Sequence, residues 1–134
     1  MSDHAIPPRI APRGTVLCRL SDIAEEDTKA FVLGDGDWPL RGLLVRTGGS
    51  VVGYVNRCPH AGHMLSFRPD KFLTPDRKLI LCQSHGALFD KASGRCVGGP
   101  CVGESLTRVP VRVEENHVCL AADVDIDALA TRYW

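Results

Sequence analysis

Two short segments hold the residue types that bind transition metals in proteins. The first places Cys58 two residues before His60, and the second places Cys82 three residues before His85. Thiolate and imidazole are the ligands that zinc and iron centres commonly use. Four such ligands on two short segments predict a metal site. A single tetrahedral zinc ion is one interpretation of this set, and it stays open on these residues alone.

The bulk composition indicates one domain without a strongly charged surface. The chain has 134 residues, of which 44% are hydrophobic, and this is enough to bury a substantial core. Its 16 basic residues balance its 16 acidic residues. Because this balance gives no global field to attract a polyanion, we expect no nucleic-acid partner and no membrane partner.

The first fourteen residues, 1–14, are predicted to be a flexible N-terminal arm. They contain three prolines and neither a continuous apolar run nor a twin-arginine pair, so they do not have the composition of a signal peptide or an anchor. We therefore expect a cytoplasmic protein. In that compartment, the six cysteines are expected to be metal ligands and reduced thiols rather than a disulfide framework.

Strand-like segments dominate the main domain, which we place at residues 15–122. Neither strand–helix alternation nor an internal repeat is visible, so the predicted class is all-β with small antiparallel sheets. A short helix is expected in the C-terminal extension, residues 123–134. Two hairpins are expected, one around a turn at 47–50 and one around a turn at 114–116. The predicted strands are residues 15–20, 31–33, 42–46, 51–55, 105–113 and 117–121.

The residues that follow the second segment resemble the Rieske iron-sulfur domain. The motifs His-Gly-Ala-x-Phe-Asp, Gly-Arg-Cys and Gly-Gly-Pro occur in this order between His85 and Pro100. The resemblance covers about residues 15–121, and the chain looks most like the soluble Rieske-type ferredoxins of oxygenase systems. It implies a Rieske-like sandwich of small sheets with a two-loop cluster-binding subdomain at residues 57–101.

The resemblance also implies the cofactor and its ligands. By position, Cys58 and Cys82 would hold one iron of a [2Fe-2S] cluster, and His60 and His85 would hold the other. Two ferric ions, two sulfides and two thiolates sum to a neutral core, so the potential is higher than with four thiolates. In the family, the histidines lie toward solvent, and electrons would enter and leave there.

Four positions near the cluster distinguish this chain from respiratory members of the family. Those members have a cysteine in each cluster loop that together form a disulfide, and hydroxyl groups that donate hydrogen bonds to the sulfurs. In this chain, His63 and Ser84 stand at the positions of the two cysteines, and Ala87 and Phe89 stand at the positions of the hydroxyl groups. Since fewer hydrogen bonds reach the sulfurs, we predict a potential near the low end of the Rieske range, about −150 mV.

The Gly-Gly-Pro loop covers the cluster in the family, and Gly99 and Pro100 are therefore expected close to it. Glycine allows the backbone to approach a neighbour closely. Cys96 and Cys101 flank this loop. They could form a small disulfide, but a pair of reduced thiols is the favoured interpretation in a reducing cytoplasm.

The spacing between the ligand pairs departs from the family pattern. Between His60 and Cys82 lie 21 residues, a few more than the resemblance implies. The extra length falls in residues 67–78, whose turn-prone sequence predicts a surface loop near the cluster. The remaining histidines of the domain, His63 and His117, are predicted to lie outside the ligand set.

These observations favour a one-electron carrier that passes electrons from a flavin-type reductase to a terminal oxygenase, and that is not itself an enzyme. One alternative is a non-catalytic accessory subunit like the small subunit of assimilatory nitrite reductase. That subunit often lacks the ligands, whereas all four are present here. The Rieske part of an oxygenase subunit would also need two histidines and a carboxylate for a mononuclear iron. Only His117 follows the ligand segments, so this alternative is disfavoured.

Overall fold

The structure is a computed structural model that describes residues 9–36, 38–59, 63–66, 68 and 70–130. Within these residues, a 3-10 turn lies at Leu20–Asp22, and the other elements are short strands and one five-residue helix. The elements are β1 Ile10–Ala11, β2 Val16–Arg19, β3 Thr28–Leu33, β4 Leu40–Thr47, β5 Ser50–Val55, β6 Leu79–Leu81, β7 Leu88–Asp90, β8 Cys96–Gly98, β9 Arg108–Val109, β10 Val111–Glu114, β11 His117–Leu120, β12 Val124–Asp125 and α1 Ile126–Ala130.

The strands form four small antiparallel sheets, which confirms the predicted all-β class. The largest sheet has the order β3-β4-β5-β9, and a second has the order β10-β11-β2. The sheet β6-β7-β8 carries the second ligand segment at its edge, and β1 pairs with β12. The short helix expected in the C-terminal extension is present as α1.

Both predicted hairpins are present, and the β10–β11 hairpin closes at the pair Glu114 and His117. The β4–β5 hairpin closes at the pair Thr47 and Ser50, with Gly48 and Gly49 at φ of +59° and +80°. Two consecutive positive φ values match the right-handed twist of the flanking strands, and glycine adopts them without strain. Strand β5 then leads the chain directly to Cys58, so this hairpin positions the first ligand segment.

The predicted strand 105–113 is instead two strands that belong to different sheets. Residues Arg108–Val109 pair with β5, whereas Val111–Glu114 pair with β11. Pro110 lies between them, and its missing N–H and fixed φ interrupt a ladder. The chain therefore crosses from one sheet to the other at this proline.

The ordered N-terminal part begins before Thr15, where the sequence had placed the start of the domain. Ile10 and Ala11 pair with β12. The backbone N–H and the Nε of Arg9 each donate a 2.9 Å hydrogen bond to Asp127. Residues 10–14 are thus part of the fold rather than of a flexible arm, and residues 1–8 lie outside the described part.

The apolar residues form two separate cores. The base core takes residues from both the β3-β4-β5-β9 sheet and the β10-β11-β2 sheet, and the site core contains both predicted cysteine ligands. The base core comprises Ala11, Ile23, Phe31, Leu33, Leu40, Leu44, Val55, Val109, Val118, Leu120, Val124 and Ile126. The site core comprises Leu43, Val45, Tyr54, Cys58, Leu65, Phe72, Ile80, Cys82, Ala87, Phe89, Cys96, Cys101 and Leu106.

An ion pair between the buried Lys91, which follows β7, and the exposed Glu26 connects the β6-β7-β8 sheet to the turn before β3. The side chain of Lys91 is only 8% exposed, and its Nζ lies 2.6 Å from Glu26 Oε1 and 2.9 Å from the carbonyl of Arg77. Glu26 also accepts hydrogen bonds from the Thr47 hydroxyl and the Gly48 N–H. The Lys91 ammonium, followed by these two donors, lowers the pKa of Glu26 to about 2.

We expect Glu26→Gln to lower the melting temperature at pH 7, because it leaves the buried Lys91 ammonium without a counter-charge. A carboxylate whose pKa is lowered on folding contributes stability above its ordinary pKa, and this contribution disappears as the pH falls. The difference in melting temperature between the wild type and Glu26→Gln should therefore become smaller as the pH falls from about 4.5 to about 2. Calorimetry across this range, with the exposed neighbour Glu25→Gln as control, measures it. A difference independent of pH would contradict the ionic origin.

Candidate metal centre

The first ligand segment follows strand β5 and buries its cysteine. Cys58 is 1% exposed and belongs to the site core. Its backbone N–H donates a 2.7 Å hydrogen bond to the carbonyl of His63, which closes a short loop between these residues. The predicted ligand His60 stands between Cys58 and His63 in the sequence and lies outside the described residues. The structure therefore positions Cys58 and leaves His60 as a prediction.

The second ligand segment forms a tight turn after strand β6. The N–H of Cys82 donates to the carbonyl of Ala87 at 2.9 Å, and the N–H of Gly86 donates to the carbonyl of Cys82 at 3.0 Å. Cys82 is 1% exposed, whereas His85 is exposed. The turn thus directs a thiol into the site core and presents an imidazole to solvent three residues later.

The two loops are connected by a chain of hydrogen bonds that centres on Asn56. The N–H of Gln83 donates to the carbonyl of Leu65 at 2.8 Å, and the N–H of Leu65 donates to Asn56 Oδ1 at 2.8 Å. Asn56 is buried, and its Nδ2 donates to the carbonyl of Ser66 at 3.4 Å. Asn56 therefore holds the end of the first loop where it joins the second loop.

Asn56 is a residue of the site that no sequence motif predicts. The available signal is a polar residue at the end of a buried strand, directly before Arg57 and Cys58. Such a residue must satisfy its amide within the protein, since a buried polar group without a partner is costly. Its partners, however, are nine and ten residues away and cannot be identified from local pattern.

The exposed side of the site contains a second histidine. The rings of His63 and His85 have centroids 6.2 Å apart and planes inclined by 50°. Both side chains are exposed. Among the described residues, no three His, Cys, Asp or Glu side chains converge closely enough to hold a metal ion by themselves. The role of His63 outside the ligand set stays a prediction.

The Gly-Gly-Pro loop packs directly on the second ligand turn. Gly99 has φ of +85°, and a Cβ at this residue would lie 2.8 Å from the Cα of Ala87. A residue with a side chain would therefore be both strained and in steric conflict here. Ala87 and Phe89 are fully buried, at 0% exposure, and both belong to the site core, so neither position places a hydroxyl group there.

The insertion 67–78 is not simply the surface loop that its turn-prone sequence predicts. Phe72 is 1% exposed and packs in the site core. Asp70 Oδ1 accepts a 2.7 Å hydrogen bond from the N–H of Ala30, and its carbonyl accepts one from the Thr28 hydroxyl. Because β3 is an edge strand, these bonds satisfy groups that have no neighbouring strand.

The donor set of the described residues fits an iron-sulfur cluster with mixed ligands. Two buried thiols lie on two loops joined by a backbone hydrogen bond, and the imidazole of His85 lies on the exposed side of the second loop. A Rieske [2Fe-2S] centre uses thiolates on one iron and imidazoles on the other. The separation of a buried sulfur side from an exposed nitrogen side agrees with this division.

An all-β fold with two buried thiols and an exposed imidazole on adjoining loops fits a small metal-binding domain. The family described as the Rieske [2Fe-2S] domain matches residues 14–125. The chain belongs to this family, and its cofactor is the [2Fe-2S] cluster. Comparison with curated protein sequences finds no match.

Solved structures show the same fold. The Sphingomonas yanoikuyae B1 ferredoxin is 23% identical, with a TM-score of 0.62 over 81% of this chain and 97% of that chain. The ferredoxin of carbazole 1,9a-dioxygenase from Nocardioides aromaticivorans IC177 is 24% identical, with a TM-score of 0.62 over 82% of this chain and 98% of that chain. The terminal oxygenase of carbazole 1,9a-dioxygenase from Novosphingobium sp. KA1 is 26% identical, with a TM-score of 0.64 over 85% and 30%.

None of the helices in the described residues is long and apolar enough to cross a membrane. The cytoplasmic location expected from the sequence stays a prediction.

Proposed function

We propose that this chain is a one-electron carrier whose cluster is held by Cys58 and Cys82 on one iron and by His60 and His85 on the other. The observation that carries this proposal is the second ligand turn. Within four residues it buries a thiol in the site core and exposes an imidazole, beside a loop that buries another thiol. Such a site insulates one side of a metal centre and leaves the other accessible.

The surrounding residues bury the cysteine side of the site and leave the histidine side exposed to solvent. When bound, the cluster supplies a reversible one-electron couple. The site core excludes water from Cys58 and Cys82, while His85 lies at the surface, where a partner protein can approach. Because Ala87 and Phe89 place no hydroxyl beside the sulfurs, the chain gives little stabilisation to the reduced state, and the potential is low.

The acceptor is inferred to be a terminal oxygenase and the donor a flavin-type reductase. The similar structures include two ferredoxins, one of them the ferredoxin of carbazole 1,9a-dioxygenase, and this supports the carrier proposal. Another similar structure is a complex of oxygenase and ferredoxin in carbazole 1,9a-dioxygenase, 24% identical with a TM-score of 0.60. An accessory subunit of the nitrite reductase type has no observation in its favour.

Potentiometry on the purified protein tests the ligand assignment. The wild-type cluster is expected to titrate with one electron near −150 mV, the low end of the Rieske range. His85→Cys should lower the potential by on the order of 100 mV, because a thiolate adds negative charge to the oxidised core. His117→Cys is the control. His117 is exposed in β11, outside the proposed ligand segments, so this change should leave the potential unchanged.

Three outcomes would each contradict a part of the proposed function. An intact cluster in His85→Cys with an unaltered potential would mean that His85 is not a ligand. A clearly positive potential in the wild type would refute the low-potential branch, although the cluster itself would stand. A colourless protein that contains zinc would refute the carrier proposal as a whole.

A further inference from the structure

Two cysteines outside the proposed ligand set lie together at the two ends of the Gly-Gly-Pro segment. Cys96 begins β8 and Cys101 follows Pro100, and their Sγ atoms are 2.6 Å apart. Both are reduced and both are buried. Since a disulfide joins sulfur atoms about 2.05 Å apart, bond formation requires a movement of only about half an ångström.

The backbone of this loop holds the two thiols opposite one another. The N–H of Cys96 donates to the carbonyl of Glu104 at 2.8 Å, and the N–H of Glu104 donates to the carbonyl of Cys101 at 2.9 Å. The thiol of Cys96 also donates to the carbonyl of Gly98 at 3.2 Å. The pair is therefore set by main-chain bonds on both sides rather than by chance contact of two mobile side chains.

We propose that Cys96 and Cys101 are a redox-active dithiol that forms a reversible disulfide next to the cluster. The oxidant is a diffusible low-molecular-weight disulfide. One cysteine displaces a thiol from it to give a mixed disulfide, and the second cysteine displaces the other thiol. One internal S–S bond forms, the oxidant's S–S bond breaks, and two electrons and two protons leave with the two released thiols.

The disulfide would act on the site through the backbone between the two cysteines. Gly99 lies in this segment and contacts the second ligand turn so closely that a Cβ would approach Ala87 Cα to 2.8 Å. A covalent bond between the ends of the segment restrains that contact. The flanking residues Val97 and Val102 are 52% and 67% exposed, so the loop lies at the surface where small thiols and disulfides can reach it.

The exchange is expected to be slow near neutral pH. Burial, together with the hydrogen bond to Cys96, raises the pKa of Cys101 to about 12. Because the thiolate is the attacking species, a protonated buried thiol reacts slowly. The disulfide state is therefore best measured at equilibrium, after long anaerobic incubation of the cluster-loaded protein in buffers of defined reduced and oxidised glutathione.

Intact-mass and peptide analysis after acid quenching measures the product. We expect the wild-type chain to lose the mass of two hydrogen atoms in the oxidising buffer, to yield a Cys96–Cys101 cross-linked peptide, and to regain both hydrogens in the reducing buffer. In the oxidised form, hydrogen exchange of the amides in residues 97–101 should slow by on the order of tenfold. The double variant Cys18→Ser/Cys119→Ala, which leaves the pair intact, should behave like wild type.

The proposal is overturned if the oxidising buffer leaves both thiols free, if it yields glutathione adducts in place of the internal bond, or if the cross-link joins other cysteines. Cys101→Ser should abolish the mass change. If this variant does not fold, differential alkylation of the wild-type protein gives the same information. Since Cys96 and Cys101 are not proposed ligands, the result is independent of whether the ligand assignment holds.

Discussion

Replacing Cys82 with serine is expected to give a protein that holds no [2Fe-2S] cluster. The thiol is 1% exposed at the start of the second ligand turn, where no water can substitute for it. A serine hydroxyl stays protonated near neutral pH and is a poor ligand for iron in a sulfur-rich centre. Iron and acid-labile sulfide should both fall below about a tenth of the wild-type content, since the cluster assembles as a unit.

The loss of the cluster is measured by the visible absorbance of the protein and by the paramagnetic signal of its reduced form. Cys18→Ser is the matched control, because Cys18 is half-buried in β2 and packs against the base core rather than the site core. It should keep the full cluster. Chelator-treated wild-type protein should resemble Cys82→Ser in its circular dichroism, since the base core does not include the site. A Cys82→Ser protein with wild-type iron content and spectrum would refute the ligand set.

Local signals in the sequence predict the hairpins and indicate the proposed ligands, which stay a prediction. The Gly48-Gly49 turn is identified because positive φ at two successive residues favours glycine and because alternating strands flank it. The ligand segments are identified because Cys58 and Cys82 lie near histidines at short spacings. These features depend on residues close together in the chain, so one sequence is enough to predict them.

The features that were missed depend on residues far apart in sequence. Arg9 and Asp127 are separated by 118 positions, and their pairing makes β1 part of the fold. Asp70 satisfies the N–H of Ala30 on the edge strand across 40 positions. Pro110 divides one apolar stretch between two sheets, which a periodicity of two cannot reveal. Tertiary partners decide each of these cases.

Asn56→Ala is expected to be the most disruptive change that removes no proposed ligand. It leaves the N–H of Leu65 and the carbonyl of Ser66 without the partners that hold the first loop. Each buried group left unpaired costs about 1–3 kcal/mol, so we expect these two groups together to lower the free energy of unfolding by about 2–6 kcal/mol. Urea unfolding of the cluster-loaded protein, followed by circular dichroism, measures this loss.

The same substitution should loosen the contact between the two ligand loops. The N–H of Gln83 donates to the carbonyl of Leu65, so a displaced Leu65 also weakens the second loop. Release of iron to a chelator should therefore be at least about tenfold faster in Asn56→Ala, because the ligands must separate before the cluster leaves. Gln83→Ala is the control: it truncates an exposed amide in the same region and keeps its backbone bond, so its release rate should match wild type. If Asn56→Ala loses stability but releases iron at the wild-type rate, Asn56 supports the fold alone and does not position the first ligand loop.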